Sequence, residues 1–107
     1  MNYINCTPHP ILLNTGETFQ PSGTVARVSV RMTEIEGSNP REFQSEYGDL
    51  QNVPEPVDGV RIIVSNLVLQ AGLAQGRKDL VAPATGHSET VRDEKGHIVS
   101  VPGFVRS

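Results

Sequence analysis

The segment from Val53 to Pro83 constrains the fold most. Val60-Arg61-Ile62-Ile63-Val64 is a nearly continuous apolar run, rich in β-branched residues. A short run of that kind, bounded by turn signals, suits a strand in the middle of a sheet, covered on both faces. Ahead of it, Val53-Pro54-Glu55-Pro56-Val57-Asp58-Gly59 is a stiff, extended connector, because its prolines forbid regular hydrogen bonding. Behind it, Ser65 or Asn66 is placed to cap a helix whose apolar stripe is Leu67, Val68, Leu69, Ala71, Leu73 and Ala74. Gly76 ends that helix, with Arg77 and Lys78 positioned to complement the negative end of its dipole. Gly72 within the helix costs about 1 kcal/mol relative to alanine. Asp79-Leu80-Val81-Ala82-Pro83 then reads as a short strand.

The remainder is strand and turn. Met1 to Cys6 is a first strand, broken by Thr7-Pro8-His9-Pro10, where two prolines remove backbone donors. Ile11-Leu12-Leu13 and Thr18-Phe19-Gln20 flank a hairpin turn at Asn14-Thr15-Gly16-Glu17. Thr24 to Arg31 alternates, placing Val25, Arg27, Ser29 and Arg31 on one face and Thr24, Ala26, Val28 and Val30, the expected core positions, on the other. Met32 to Asn52 is polar and weakly periodic. Within it, Glu34 to Glu36 reads as a strand end, Gly37 to Pro40 as a turn and Glu42 to Gly48 as a further strand. Glu89 to Arg92 and His97 to Val101 flank a hairpin tip at Asp93-Glu94-Lys95-Gly96, and Phe104-Val105-Arg106 forms a tail with an apolar anchor. The expected architecture is a single α+β domain over residues 1–107, with a small, mixed, mostly antiparallel sheet and one main helix after a central strand.

Charge and composition narrow the partners. The 107 residues carry a formal charge of −3, and no basic stripe interrupts them, so a DNA or RNA polymer is not an expected partner. No apolar run approaches the roughly 18 residues a membrane helix needs. The first residues lack the basic-then-apolar layout of a signal peptide, and a single cysteine forbids an intrachain disulfide, so a reducing cytoplasm is the expected setting. Arginine outnumbers lysine seven to two. The planar guanidinium fork suits bidentate grip on phosphate or carboxylate, although a GC-rich genome produces the same bias.

Catalytic and metal motifs are sparse. Cys6 and His9 are close in sequence, but a structural zinc needs four ligands and there is no second cysteine. Cys6 reads instead as a small buried apolar residue. Gly86-His87-Ser88-Glu89 lacks the flanking glycine of a nucleophile elbow, since position 90 is Thr90. No glycine-rich phosphate loop is present. No metal or cofactor is called for, and the expected role is binding of a small anionic ligand without catalysis. Arg27 from a strand, Arg77 from a helix end and Arg92 from a hairpin end are candidates to converge as a phosphate clamp, with Asp79 beside Arg77. The competing reading pairs the same arginines with aspartates inside the fold or between subunits.

Ile4-Asn5-Cys6-Thr7-Pro8-His9 and Pro21-Ser22-Gly23-Thr24-Val25-Ala26-Arg27-Val28 form one half of a further pattern. Ile63-Val64-Ser65, Arg77 to Pro83 and Val91 to Ile98 form the other. Together they resemble the phage anti-Thoeris sponge proteins of the first type, over most of the chain and least between Glu34 and Asn52. The resemblance implies a protein that sequesters a cyclic ADP-ribose isomer, or also a cyclic oligonucleotide, without degrading it. It implies assembly with itself as a homodimer or homohexamer, in the cytoplasm of a bacterial host. It further implies that Arg27 and Arg92 contact the ligand and that Asp79 contacts ribose or base, with a looser correspondence for Arg77. Phe43, Tyr47 and Phe104 are candidates to stack on the base, with Phe104 the expected ligand contact among them. The alternatives are an interaction or inhibitor protein whose arginines bridge subunits, and a nucleotide enzyme, which lacks a visible nucleophile.

Overall fold

The computed structural model describes residues 1–106. In chain order the elements are β1 (Asn2–Asn5), β2 (Ile11–Leu12), β3 (Thr18–Phe19), β4 (Arg27–Glu34), β5 (Phe43–Gln51), β6 (Val60–Ile63), α1 (Asn66–Ala74), β7 (Leu80–Pro83), β8 (Val91–Arg92), β9 (Ile98–Ser100) and β10 (Phe104–Val105). This is a small α+β fold. Its central sheet has the order β1-β6-β7-β10, and the apolar run at Val60 is indeed an interior strand, β6. The antiparallel pairings gather in three two-stranded ribbons, β2–β3, β4–β5 and β8–β9, and at the β7–β10 edge. Inside the central sheet, β1, β6 and β7 run parallel, with α1 as the crossover between β6 and β7.

Alternation along β6 and β7 divides the core in two. Ile62, Val64, Leu80 and Ala82 face α1 and pack with Val68, Leu69, Cys6 and Ala26. Ile63 and Val81 face the other way and pack with Ile11 and Val101, flanked by Leu13, Phe19 and Phe104. Strands covered on both faces need no polar alternation, which is why this region reads so plainly in the sequence.

Ser65 is the N-cap of α1, its hydroxyl accepting from the Val68 amide at 3.3 Å. The helix ends at Gln75, and Gly76 then takes φ +84°, a left-handed conformation that glycine adopts at no steric cost. The Arg77 amide closes the end by donating to Gly72 O at 2.8 Å. The Arg77 guanidinium does not serve the helix dipole as the sequence suggests. It turns to Asp79 and Pro54 instead.

The largest departure from expectation is β4. It starts at Arg27 rather than Thr24 and continues to Glu34, paired with a nine-residue β5. Its face alternation holds only where a layer lies beneath it. Ala26 is buried and Val28 half-buried, but Thr24 and Val30 are exposed, because Thr24 precedes the strand and Val30 lies on the part of the ribbon that extends past the core. Met32 and Phe43, farther along, are also exposed. The register shifts between Val28 and Val30, where Gly48 and Asp49 lie between the residues paired with them. Gly48 lies close against Ser29 there, and a Cβ at that position would require the Ser29 hydroxyl to rotate away.

Candidate functional site

Parallel strands bring their carboxyl ends to one edge, and the segments that leave those ends meet there. After β1 comes the Thr7-Pro8-His9-Pro10 bend, after β6 the Ser65-Asn66 start of α1, and after β7 the segment leading to Thr85. These segments line one side of a cavity of about 400 Å³. Ile11 and Leu12 of β2 and the stretch Ile98 to Val101 close the other side. The carboxyl edge of parallel strands is where open α/β sheets characteristically bind ligands, and this volume lies within the range of small-molecule sites.

Asn5 shapes the first wall. It is 2 % exposed. Its amide donates to His9 O at 2.9 Å and Phe19 O at 3.0 Å, while its oxygen accepts from the Thr7 amide at 2.9 Å and the Thr7 hydroxyl at 2.6 Å. One side chain thereby fixes a bend whose prolines leave few backbone donors. The far wall is tied by Ser100 Oγ donating to Asn14 Oδ1 at 2.6 Å and by Val101 N donating to Leu12 O at 3.0 Å.

The lining is mainly apolar, with a few polar groups. Thr7, Ser65, Asn66, Thr85 and Ser100 contribute hydroxyl or amide groups. The cavity borders the N-terminus of α1, where the Asn66 and Leu67 amides find no acceptor among the described residues. Those amides and the positive end of the helix dipole favour an anionic group there. His9 is the single titratable side chain in the lining, and no carboxylate faces it across the cavity.

The five residues singled out from sequence do not form one cluster. Arg27 is exposed and lines a shallow neighbouring hollow with Leu67, Val68 and Ser65, so that Ser65 is shared with the cavity. Arg92 donates to Gly96 O at 2.9 Å and to Thr85 O at 3.2 Å, bracing the loop that carries Thr85 into the lining. These two border the cavity without lining it. Arg77 and Asp79 bind each other elsewhere. Arg77 Nε and Nη2 donate to the Asp79 oxygens at 2.9 and 2.8 Å, and Nη2 also donates to Pro54 O at 2.8 Å. This hydrogen bonding holds the Asp79 carboxyl below its ordinary range, against the opposing effect of burial, and raises Arg77. Asp79 is therefore engaged as an ion-pair partner, as the competing reading of the arginines expects. Phe104 belongs to an aromatic cluster with Tyr3 and Phe19. Phe43 and Tyr47 lie on the β5 strand of the ribbon. Cys6 is buried, its sulfur 3.8 Å from Ser22 Oγ. Among the described residues no group of three or more His, Cys, Asp or Glu side chains is disposed to hold a metal.

None of the lining residues was among the five selected from sequence, and Thr7, His9, Ser65, Asn66, Thr85 and Ile98 show why. Each sits just past a strand or within the hairpin that covers the strand ends, and their signal appears once the parallel order of β1, β6 and β7 is known.

Comparison of the chain with protein-family models, with curated proteins and with solved structures finds no match. No helix among the described residues is long and apolar enough to cross a membrane.

Proposed function

We propose that this chain is a non-catalytic binding protein that holds a small, anionic, nucleotide-derived ligand in the cavity at the carboxyl ends of β1, β6 and β7. The observation that carries the reading is the cavity itself: apolar walls of about 400 Å³ beside the unpaired amides of the first turn of α1. A base or sugar face would lie against Ile11, Ile98 and Val101, and a phosphate would meet the helix N-terminus. Arg27, across Ser65, supplies long-range attraction.

In keeping with the sponge-protein resemblance, the ligand is a cyclic ADP-ribose-type signal, kept intact by an anti-defence protein of phage type in its bacterial host's cytoplasm. The functional unit is a homodimer or larger assembly. Exposed Val30, Met32 and Phe43 on the β4–β5 ribbon are apolar surface that a second copy would cover. The test is to incubate the protein with a cyclic ADP-ribose isomer, filter, heat the retained protein and analyse the supernatant. Recovery of the unaltered molecule is the expected result. Conversion to ADP-ribose would make the protein an enzyme, and absence of retained nucleotide would favour the interaction-protein alternative, with arginines bridging subunits. Light scattering at micromolar concentration, expected to exceed the 11.6 kDa monomer, tests the assembly.

A further inference from the structure

The face of the central sheet opposite α1 carries a second hollow, of about 470 Å³, that shares no lining residue with the carboxyl-edge cavity. Two features meet in it. The first is aromatic. Tyr3 and Phe104 are stacked, with centroids 5.4 Å apart and planes at 22°, and Phe19 sets its edge to both. Tyr3 retains 37 % exposure, so part of its ring is open to a ligand. The second is cationic. Register places Arg61 of β6 beside Tyr3 of β1, and Arg106 follows Phe104 at the two-residue spacing that returns to the same face.

Neither guanidinium has a hydrogen-bond or ion-pair partner among the described residues, and no acidic side chain lines the hollow. Arg61 also borders an adjacent hollow with Asp58 and Asp79, but the two oxygens of Asp79 already accept from Arg77 and no hydrogen bond or ion pair joins Arg61 to either acid. Two arginines without a bonded partner thus lie beside an open aromatic face. Guanidinium forks match phosphate oxygens in bidentate fashion, and an aromatic face matches a base. The chain's overall negative charge disfavours a long polyanion but leaves a single phosphate free to enter a local positive pocket.

We infer that Tyr3, Arg61, Phe104 and Arg106 form a second binding site, for an aromatic phosphomonoester of the size of a nucleoside monophosphate. The phosphate lies between Arg61 and Arg106, and the base against the Tyr3–Phe104 pair. The inference stands apart from the carboxyl-edge reading, because the two sites have no residue in common.

Calorimetry with AMP, adenosine and inorganic phosphate tests it. AMP should bind at least about tenfold more tightly than either fragment, since both halves of the site are then engaged. Arg106→Gln, on the exposed tail, and Arg61→Gln should each weaken AMP about tenfold while leaving adenosine unchanged. Tyr3→Leu should weaken adenosine and AMP alike. Ile98→Trp, which fills the other cavity, should leave AMP affinity as it was. Several results would overturn the inference: AMP binding no better than its fragments, normal AMP binding by Arg106→Gln, or loss of AMP binding in Ile98→Trp. A single-stranded oligonucleotide that binds more tightly per nucleotide than AMP would overturn the assignment to a mononucleotide.

Discussion

Arg77 and Asp79, two residues apart, clasp each other through paired hydrogen bonds of 2.9 and 2.8 Å, with side chains only 19 % and 15 % exposed. The pair ties the chain leaving α1 to the start of β7 and, through Pro54 O, to the connector before β6. Its charge state makes stability depend on pH. The Asp79 carboxyl is lowered from its ordinary 3.8, chiefly by the Arg77 hydrogen bonds. A carboxyl depressed in the folded state contributes stability that is fully present above its unfolded value and is lost as pH falls through the folded one. Asp79→Asn should therefore lower unfolding stability at neutral pH, by about 2 kcal/mol on the scale of charged hydrogen bonds. The deficit relative to wild type should shrink below about pH 4. Denaturant unfolding across that range reads it directly, and a deficit independent of pH would show that the ion pair contributes nothing.

Gly72 sets helix propensity against packing. In isolation, alanine in place of glycine stabilises a helix by about 1 kcal/mol. Here a Cβ would overlap Leu80 Cδ1, and Leu80 is a core residue, 1 % exposed. Overpacking of that kind costs about 1–3 kcal/mol, so Gly72→Ala should be net destabilising. The double variant Gly72→Ala with Leu80→Ala should lose less than the sum of the single changes, because the added methyl occupies vacated volume. A Gly72→Ala protein more stable than wild type would refute the close approach.

Asn5 should be disproportionately costly to replace. Asn5→Ala removes the side-chain donor to Phe19 O and the acceptor for the Thr7 amide, and leaves His9 O with the Thr7 hydroxyl alone. Leaving part-buried groups unsatisfied costs about 1 kcal/mol or more each, which predicts a loss of about 2 kcal/mol in denaturant unfolding. Amide exchange at Thr7 should accelerate well beyond the rest of β1, and ligand binding at the carboxyl edge should weaken. Uniform acceleration across the chain would mean that Asn5 acts on global stability alone.

The sequence was most legible where burial is two-sided. Val60 to Val64, the Ser65 cap and the stop at Gly76 all carry strong local signals, and β6 and α1 lie where those signals put them. The β4–β5 ribbon was the least legible. Its distal half has no layer beneath it, so Thr33, Glu34, Gln44 and Glu46 are polar without the alternation that marks a half-buried strand. The β1–β6 pairing joins residues nearly sixty apart and leaves no local trace, and with it the carboxyl-edge cavity was hidden. Arginine chemistry was visible by residue type, but partner choice was not. Arg77 found Asp79, and Arg92 found the carbonyls of Gly96 and Thr85, through geometry that only the folded chain supplies.

The central claim is that the carboxyl ends of β1, β6 and β7 bind the ligand, and amide chemical-shift mapping tests it most directly. On titration of the labelled protein with a cyclic ADP-ribose isomer, the largest shifts should fall at Thr7, His9, Ser65 to Val68, Thr85 and Ile98 to Val101. They should disappear in Ile98→Trp, whose indole occupies the cavity. An unperturbed spectrum, or shifts centred on Arg77 and Asp79 that persist in Ile98→Trp, would contradict the account.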